Sequence, residues 1–121
     1  MQLTNAEEEL MQIIWKKEKA FIKELIDSYP EPKPAITTIA TLLRRMQDKN
    51  FVGFTQIGRS REYFATVSKK KYFSKQMNGF IKSFFNNSPS QFASFFTQES
   101  NLTEEELKEL RKLIDEKIKN K

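Results

Sequence analysis

The sequence predicts a mainly α-helical protein with one small β-hairpin. Apolar residues recur at helical spacing in six separate segments. Between them, residues 51–67 collect aromatic and β-branched side chains around a Gly-containing turn, the pattern of a hairpin. Only three glycines and four prolines occur in 121 residues, so little interrupts the helices.

The elements follow in order. Over 4–17, Thr4 and Glu7 have the spacing of a capping box, and Ala6, Leu10, Ile13 and Ile14 form an apolar face that Trp15 extends. A shorter helix is expected over 21–29, with Phe21, Ile22, Leu25 and Ile26 on one stripe. Pro30, Pro32 and Pro34 then end it, since proline cannot donate a backbone hydrogen bond and disfavours helix before it. A third helix is expected over 36–49, with Ile36, Ile39, Leu42, Leu43 and Met46 inward and Asn50 as a left-handed cap. Strands are expected over 51–57 and 61–67, joined by Gly58-Arg59-Ser60. Helical spacing returns over 69–86, with Phe73, Met77, Phe80, Ile81 and Phe84 on one stripe. After Asn86-Asn87-Ser88-Pro89, residues 90–98 group Phe92, Phe95 and Phe96. A second capping box, Thr103 and Glu106, opens a last helix with Leu107, Leu110, Leu113, Ile114 and Ile118 inward. The natural division falls near residue 70, giving domains 1–69 and 70–121.

Composition narrows the function. Cysteine and histidine are both absent, which removes disulfides, thiolate chemistry and imidazole bases. The acidic runs Glu7-Glu8-Glu9 and Glu104-Glu105-Glu106 sit at helix starts, where they suit the macrodipole better than a metal cage. No glycine-rich phosphate loop occurs. The expectation is a non-enzyme with no metal and no cofactor. The acidic N-terminus does not resemble a signal peptide, and no apolar run approaches the roughly 20 residues that cross a bilayer. Both point to the cytoplasm.

The net charge of +5 is unevenly placed. Residues 33–82 carry eleven basic side chains against Asp48 and Glu62, a local +9, whereas the flanking segments are slightly acidic. A basic middle segment is the footprint of a polyanionic partner. Three helices followed by a hairpin is also the order of a winged helix-turn-helix, whose third helix enters the DNA major groove while the wing lies on the backbone. Thr37, Thr38, Ala40 and Thr41 are then candidates for base edges and thymine methyls. Arg44 and Arg45 would meet phosphates or guanine, and Arg59 and Arg61 at the wing tip would meet phosphate or a narrow minor groove. Each feature has a plainer reading. The threonines could be ordinary surface, Arg44 could pair with Asp48, and the wing arginines could keep an edge strand soluble.

Seven of the eleven phenylalanines fall within 73–96. Helices strung after a complete winged helix have little of their own to bury against, so burial against a twofold copy is expected. The candidate dimerisation residues are Phe73, Met77, Phe80, Ile81, Phe84, Phe92, Phe95, Phe96, Leu107, Leu110 and Ile114.

Four stretches carry a resemblance: Glu8-Glu9-Leu10-Met11-Gln12-Ile13-Ile14-Trp15, Thr37-Thr38-Ile39-Ala40-Thr41-Leu42-Leu43-Arg44-Arg45-Met46, Gly58-Arg59-Ser60-Arg61-Glu62-Tyr63-Phe64, and Leu102-Thr103-Glu104-Glu105-Glu106-Leu107-Lys108-Glu109-Leu110. The chain resembles, from about Thr4 to Ile118, the penicillinase-repressor family, which includes β-lactamase and methicillin-resistance regulators and copper-responsive repressors. The resemblance implies a homodimeric repressor on a palindromic double-stranded operator. In the resistance branch it further implies a membrane sensor-protease as partner and cleavage of the dimerisation region. Copper sensing uses cysteine pairs that this chain lacks. Ala35-Ile36-Thr37 stands where the family commonly has Ser-Pro-Lys, so a Lys contact to base or phosphate is missing. Asn50 replaces a common glycine, and Phe95-Phe96 aligns with the cleaved region without its usual Asn-Phe.

Two other functions compete. A winged-helix module that recruits proteins without binding DNA has no need of the basic middle segment. An RNA-binding protein would present a stacking sheet, which nothing here resembles.

Overall fold

The computed structural model describes residues 3–121. Its elements run α1 (Asn5–Lys17), β1 (Lys19–Phe21), α2 (Ile22–Asp27), α3 (Ile36–Asp48), β2 (Val52–Ile57), β3 (Ser60–Ala65), α4 (Lys69–Phe84), α5 (Pro89–Glu99) and α6 (Glu104–Lys119).

Both expected capping boxes are present. At α1 the Glu7 N–H donates to Thr4 Oγ1 at 3.2 Å, and the Thr4 N–H donates to Glu7 Oε1 at 2.7 Å. At α6 the Glu106 N–H donates to Thr103 Oγ1 at 3.1 Å and the Thr103 N–H to Glu106 Oε1 at 2.9 Å. Asn50 follows α3 with φ 65°, the left-handed geometry expected of it.

The second helix is shorter than expected. Its first residue by sequence, Phe21, instead ends strand β1, which pairs antiparallel with β3 through Lys19↔Phe64 and Phe21↔Glu62. The hairpin is therefore part of a three-stranded sheet of order β1-β3-β2. Its turn is tight: Ile57 pairs with Ser60, and Gly58 takes φ 62°, a value that glycine tolerates without a Cβ clash.

The chain forms two compact units that divide between Phe73 and Ser74, within α4. The first unit has a continuous core in which Leu10, Met11, Ile14, Leu25, Ile39, Leu43 and Met46 are fully buried. Each such side chain contributes about 1.5–3 kcal/mol by leaving water. Ala20, Phe51, Val52, Tyr63 and Tyr72 complete it. Two expected core positions differ. Ala6 is exposed, and Ile36 is 57% exposed because it opens α3 one turn before the packed layer begins at Ile39.

The first turn of α4 belongs to this unit through aromatic contacts. Trp15 lies 5.9 Å from the Tyr72 ring and 5.8 Å from the Phe73 ring, centroid to centroid. The Trp15 indole N–H donates to the Val67 carbonyl at 2.8 Å, and the Tyr72 hydroxyl donates to Glu8 Oε2 at 2.6 Å.

In the second unit, Asn86 and Asn87 both adopt positive φ and turn the chain. Ser88 then caps α5, accepting the Gln91 N–H at 3.2 Å, with Pro89 in the first helical position. Phe85 is the hub of a ring cluster, 5.6 Å from both Phe80 and Phe92 and 5.5 Å from Phe95. On α6, Leu107, Leu113, Ile114 and Ile118 were expected inward but are exposed in the single chain. Their stripe is apolar and lies largely open among the described residues, with Leu110 half-buried.

Candidate nucleic-acid interface

Helix α3 divides cleanly into two faces. Ile39, Leu42, Leu43 and Met46 recur at three- and four-residue spacing and are buried in the core. The opposite arc carries Thr37, Thr38, Ala40, Arg44 and Arg45, all exposed, with Thr41 half-buried beside them. The Thr41 hydroxyl donates to the Thr37 carbonyl at 2.9 Å, so its proton is committed and its lone pairs remain. Among the described residues, none of Arg44, Arg45, Arg59 and Arg61 is in an ion pair. The alternative partnership of Arg44 with Asp48 is therefore not made.

The wing is tied to the end of α3 by hydrogen bonds to backbone carbonyls. The Phe51 N–H donates to the Met46 carbonyl at 2.9 Å, and Thr66 Oγ1 donates to the Asn50 carbonyl at 2.8 Å. Arg59 lies exposed in the turn. Arg61, one residue into β3, does not extend freely: its guanidinium carbon stacks 4.2 Å from the Phe54 ring centroid. Phe54 in turn packs against Tyr63 at 5.9 Å. The cation is held over the hairpin face.

An ion pair that the sequence reading missed steadies α3 from behind. Lys49 Nζ lies 2.6 Å from Glu7 Oε1, and Glu7 is wholly buried. Burial pushes the Glu7 carboxyl up, but hydrogen bonds from Lys49 and from Thr4 outweigh it and hold the group below the ordinary carboxylate value. The sequence did contain a signal. Glu7 precedes Leu10 by three residues and Ile14 by seven, which sets it on the buried stripe of α1.

The candidate dimerisation residues separate into two groups. Phe73 packs against Trp15 in the first unit. Met77, Phe80, Phe84, Phe95, Phe96, Leu107 and Ile114 are exposed in the second unit, with Phe84 at 73%, while Ile81, Phe92 and Leu110 are half-buried. Phe85 was not among the expected residues, although its spacing of four from Ile81 places it on the same stripe.

Among the described residues, no helix is long and apolar enough to cross a membrane, and no group of acidic side chains could hold a metal ion.

Comparison with known proteins agrees on the fold. The methicillin resistance regulatory protein MecI of Staphylococcus aureus is 26% identical over 117 residues, covering 96% of this chain and 95% of the relative. The penicillinase repressor of Bacillus licheniformis is 26% identical over 116 residues, covering 95% of this chain and 91% of the relative. Among solved structures, a mutant MarR from E. coli superposes with a TM-score of 0.52 at 16% identity, over 97% of this chain and 79% of that one. That likeness concerns fold alone and supports the winged-helix arrangement. Residues 3–116 match the penicillinase repressor family, and the chain belongs to it.

Proposed function

We propose that this chain is a homodimeric transcriptional repressor that binds a palindromic operator, with α3 in the major groove and the β2–β3 wing on the backbone. The carrying observation is the two-faced α3. Its inner face is fixed in the core, and its outer face offers short threonines and two arginines that form no ion pair among the described residues. The regulatory character of the relatives supports this reading over catalysis. Short side chains and arginine forks suit base edges and phosphates, respectively. The uncovered apolar stripe of the second unit supports a second copy as partner, since exposed patches of this kind mark interfaces.

Release by a membrane sensor-protease is the further expectation for this function. The candidate cleavage position, Phe95-Phe96, lies in the middle of α5. A helical bond must unwind locally before it fits an extended protease cleft. Mass spectrometry of the protein from drug-induced cells tests this, and an intact chain alongside induced target genes would sink it.

Fluorescence anisotropy with the DNA upstream of the protein's own gene, across a salt series, tests the main reading. Sequence-selective binding should weaken with salt, with a log–log slope of about −0.9 per phosphate neutralised. Equal, weak binding to any duplex would count against operator recognition.

A further inference from the structure

The first unit contains a second basic feature, apart from α3 and the wing. A cleft of about 980 Å³ opens between the end of α1, the start of β1, α2 and the first turn of α4. Lys16, Lys17, Lys19 and Lys69 line it, together with Trp15 and Ile13. Among the described residues none of the four lysines is in an ion pair. The one carboxylate on the wall, Glu24, already accepts the Phe21 N–H at 2.9 Å as part of the α2 cap. No residue of α3 or the wing contributes.

Four like charges around one concavity repel one another, and Glu24 is the one opposite charge on its wall. A cleft whose cations outnumber its carboxylates four to one carries a positive field at its opening and favours an anion there. The walls add shape. Trp15 is fixed by its bond to the Val67 carbonyl and by the Tyr72 and Phe73 rings, so its indole is a preset surface rather than a mobile one. Two of the nine lining residues, Ile13 and Trp15, are apolar, and the volume lies within the roughly 300–1,000 Å³ of small-molecule sites.

We propose that this cleft binds a small organic anion that carries a flat apolar ring, with Lys16, Lys17, Lys19 and Lys69 meeting the charge and Trp15 and Ile13 the ring. The site is separate from the operator reading and stands or falls without it. Its walls include α2, whose last turn leads directly into the loop before α3, so occupancy bears on the helix pair that presents the outer face of α3.

The chain has a single tryptophan, so its indole N–H gives one unambiguous NMR resonance. The full-length, nitrogen-labelled protein is titrated with naphthalene disulfonate, with inorganic phosphate as the ringless control and naphthalene methanol as the uncharged one. A saturable shift of the Trp15 resonance is expected with the disulfonate, and weaker responses with both controls. The exposed double variant Lys16→Ala/Lys69→Ala should bind roughly tenfold more weakly, as loss of two charge-assisted contacts implies. Arg44→Ala/Arg45→Ala should bind the probe as the parent does. No saturable shift, equal binding by the lysine variant, or equal binding of the uncharged control would overturn the proposal. So would a shift that duplex DNA produces and the probe does not, because the lysines would then serve DNA phosphates.

Discussion

Lys49 Nζ and Glu7 Oε1 lie 2.6 Å apart and join the end of α3 to the first turn of α1. The same Glu7 oxygen accepts the Thr4 N–H, so one carboxylate serves a helix cap and an interhelical tie at once. Its other oxygen is buried without a hydrogen-bond partner among the described residues. The pair is therefore asymmetric under mutation. Lys49→Ala leaves a buried carboxylate unpaired and should cost about 3 kcal/mol. Glu7→Gln keeps a capping-box side chain and removes the buried charge, so it should cost about 1 kcal/mol. Urea unfolding midpoints of the two variants check the order, and a reversed order would contradict the geometry.

Glu7 also sets a pH dependence. Its folded carboxyl sits below its ordinary value because hydrogen bonds from Lys49 and Thr4 outweigh the opposing effect of burial. A carboxylate with a depressed folded pKa binds fewer protons folded than unfolded. Its stabilisation is thus present above the unfolded value of about 4.3 and disappears as pH falls through the lower folded value. Thermal melts across mildly to strongly acidic buffers should show this loss in the parent and a smaller one in Glu7→Gln.

Trp15→Phe keeps most of the aromatic packing but leaves the Val67 carbonyl without its 2.8 Å donor. The expected cost is about 1–2 kcal/mol in denaturant unfolding. A loss below a few tenths would mean that water replaces the indole without penalty.

Arg45→Ala removes an exposed cation that no carboxylate among the described residues holds. Operator affinity should fall by about 1–3 kcal/mol while the melting temperature stays unchanged. A fall in thermal stability alongside affinity would instead assign Arg45 a bracing role within the unit.

Phe84→Glu is the cleanest test of the proposed dimer. Phe84 is 73% exposed, whereas Phe80 also touches Phe85 and Phe92 and its loss would disturb the unit itself. Sedimentation should show a shift from dimer to monomer for Phe84→Glu, with weaker operator binding through lost bivalency. An unchanged dimer would move the interface elsewhere, with Leu113 and Ile118 the next positions to vary.

Much of the fold was legible because local chemistry and helical period agreed. Thr4-Glu7 and Thr103-Glu106 announce their helices, Asn50 its turn and Gly58 the hairpin. The misses share a cause: a period says which face a residue occupies but not what the face meets. Ile36 is in phase with Leu43, yet it precedes the packed layer. Leu107 and Ile114 keep their stripe, yet both stay exposed among the described residues. Strand β1 was hidden because three residues, Lys19–Phe21, are too few to show alternation, and its pairing partner lies more than forty residues away in β3. For the candidate interface, the exposed α3 residues follow from the phase of Ile39, Leu42, Leu43 and Met46. The Glu7–Lys49 tie and the stacking of Arg61 do not, because both join residues distant in sequence or depend on side-chain direction.

That stacking has a consequence for association. A long basic side chain that sweeps freely must give up its rotamer freedom when it grips a partner, at roughly 0.5–1.5 kcal/mol. Arg61, laid across Phe54 in the unliganded chain, has surrendered part of that freedom during folding. In the proposed complex its planar fork would approach the DNA already aimed, which a lysine in its place would not reproduce. On the proposed operator reading, the wing would therefore offer Arg61 as a gauge set at one height above its own surface, and would favour a phosphate at the matching distance.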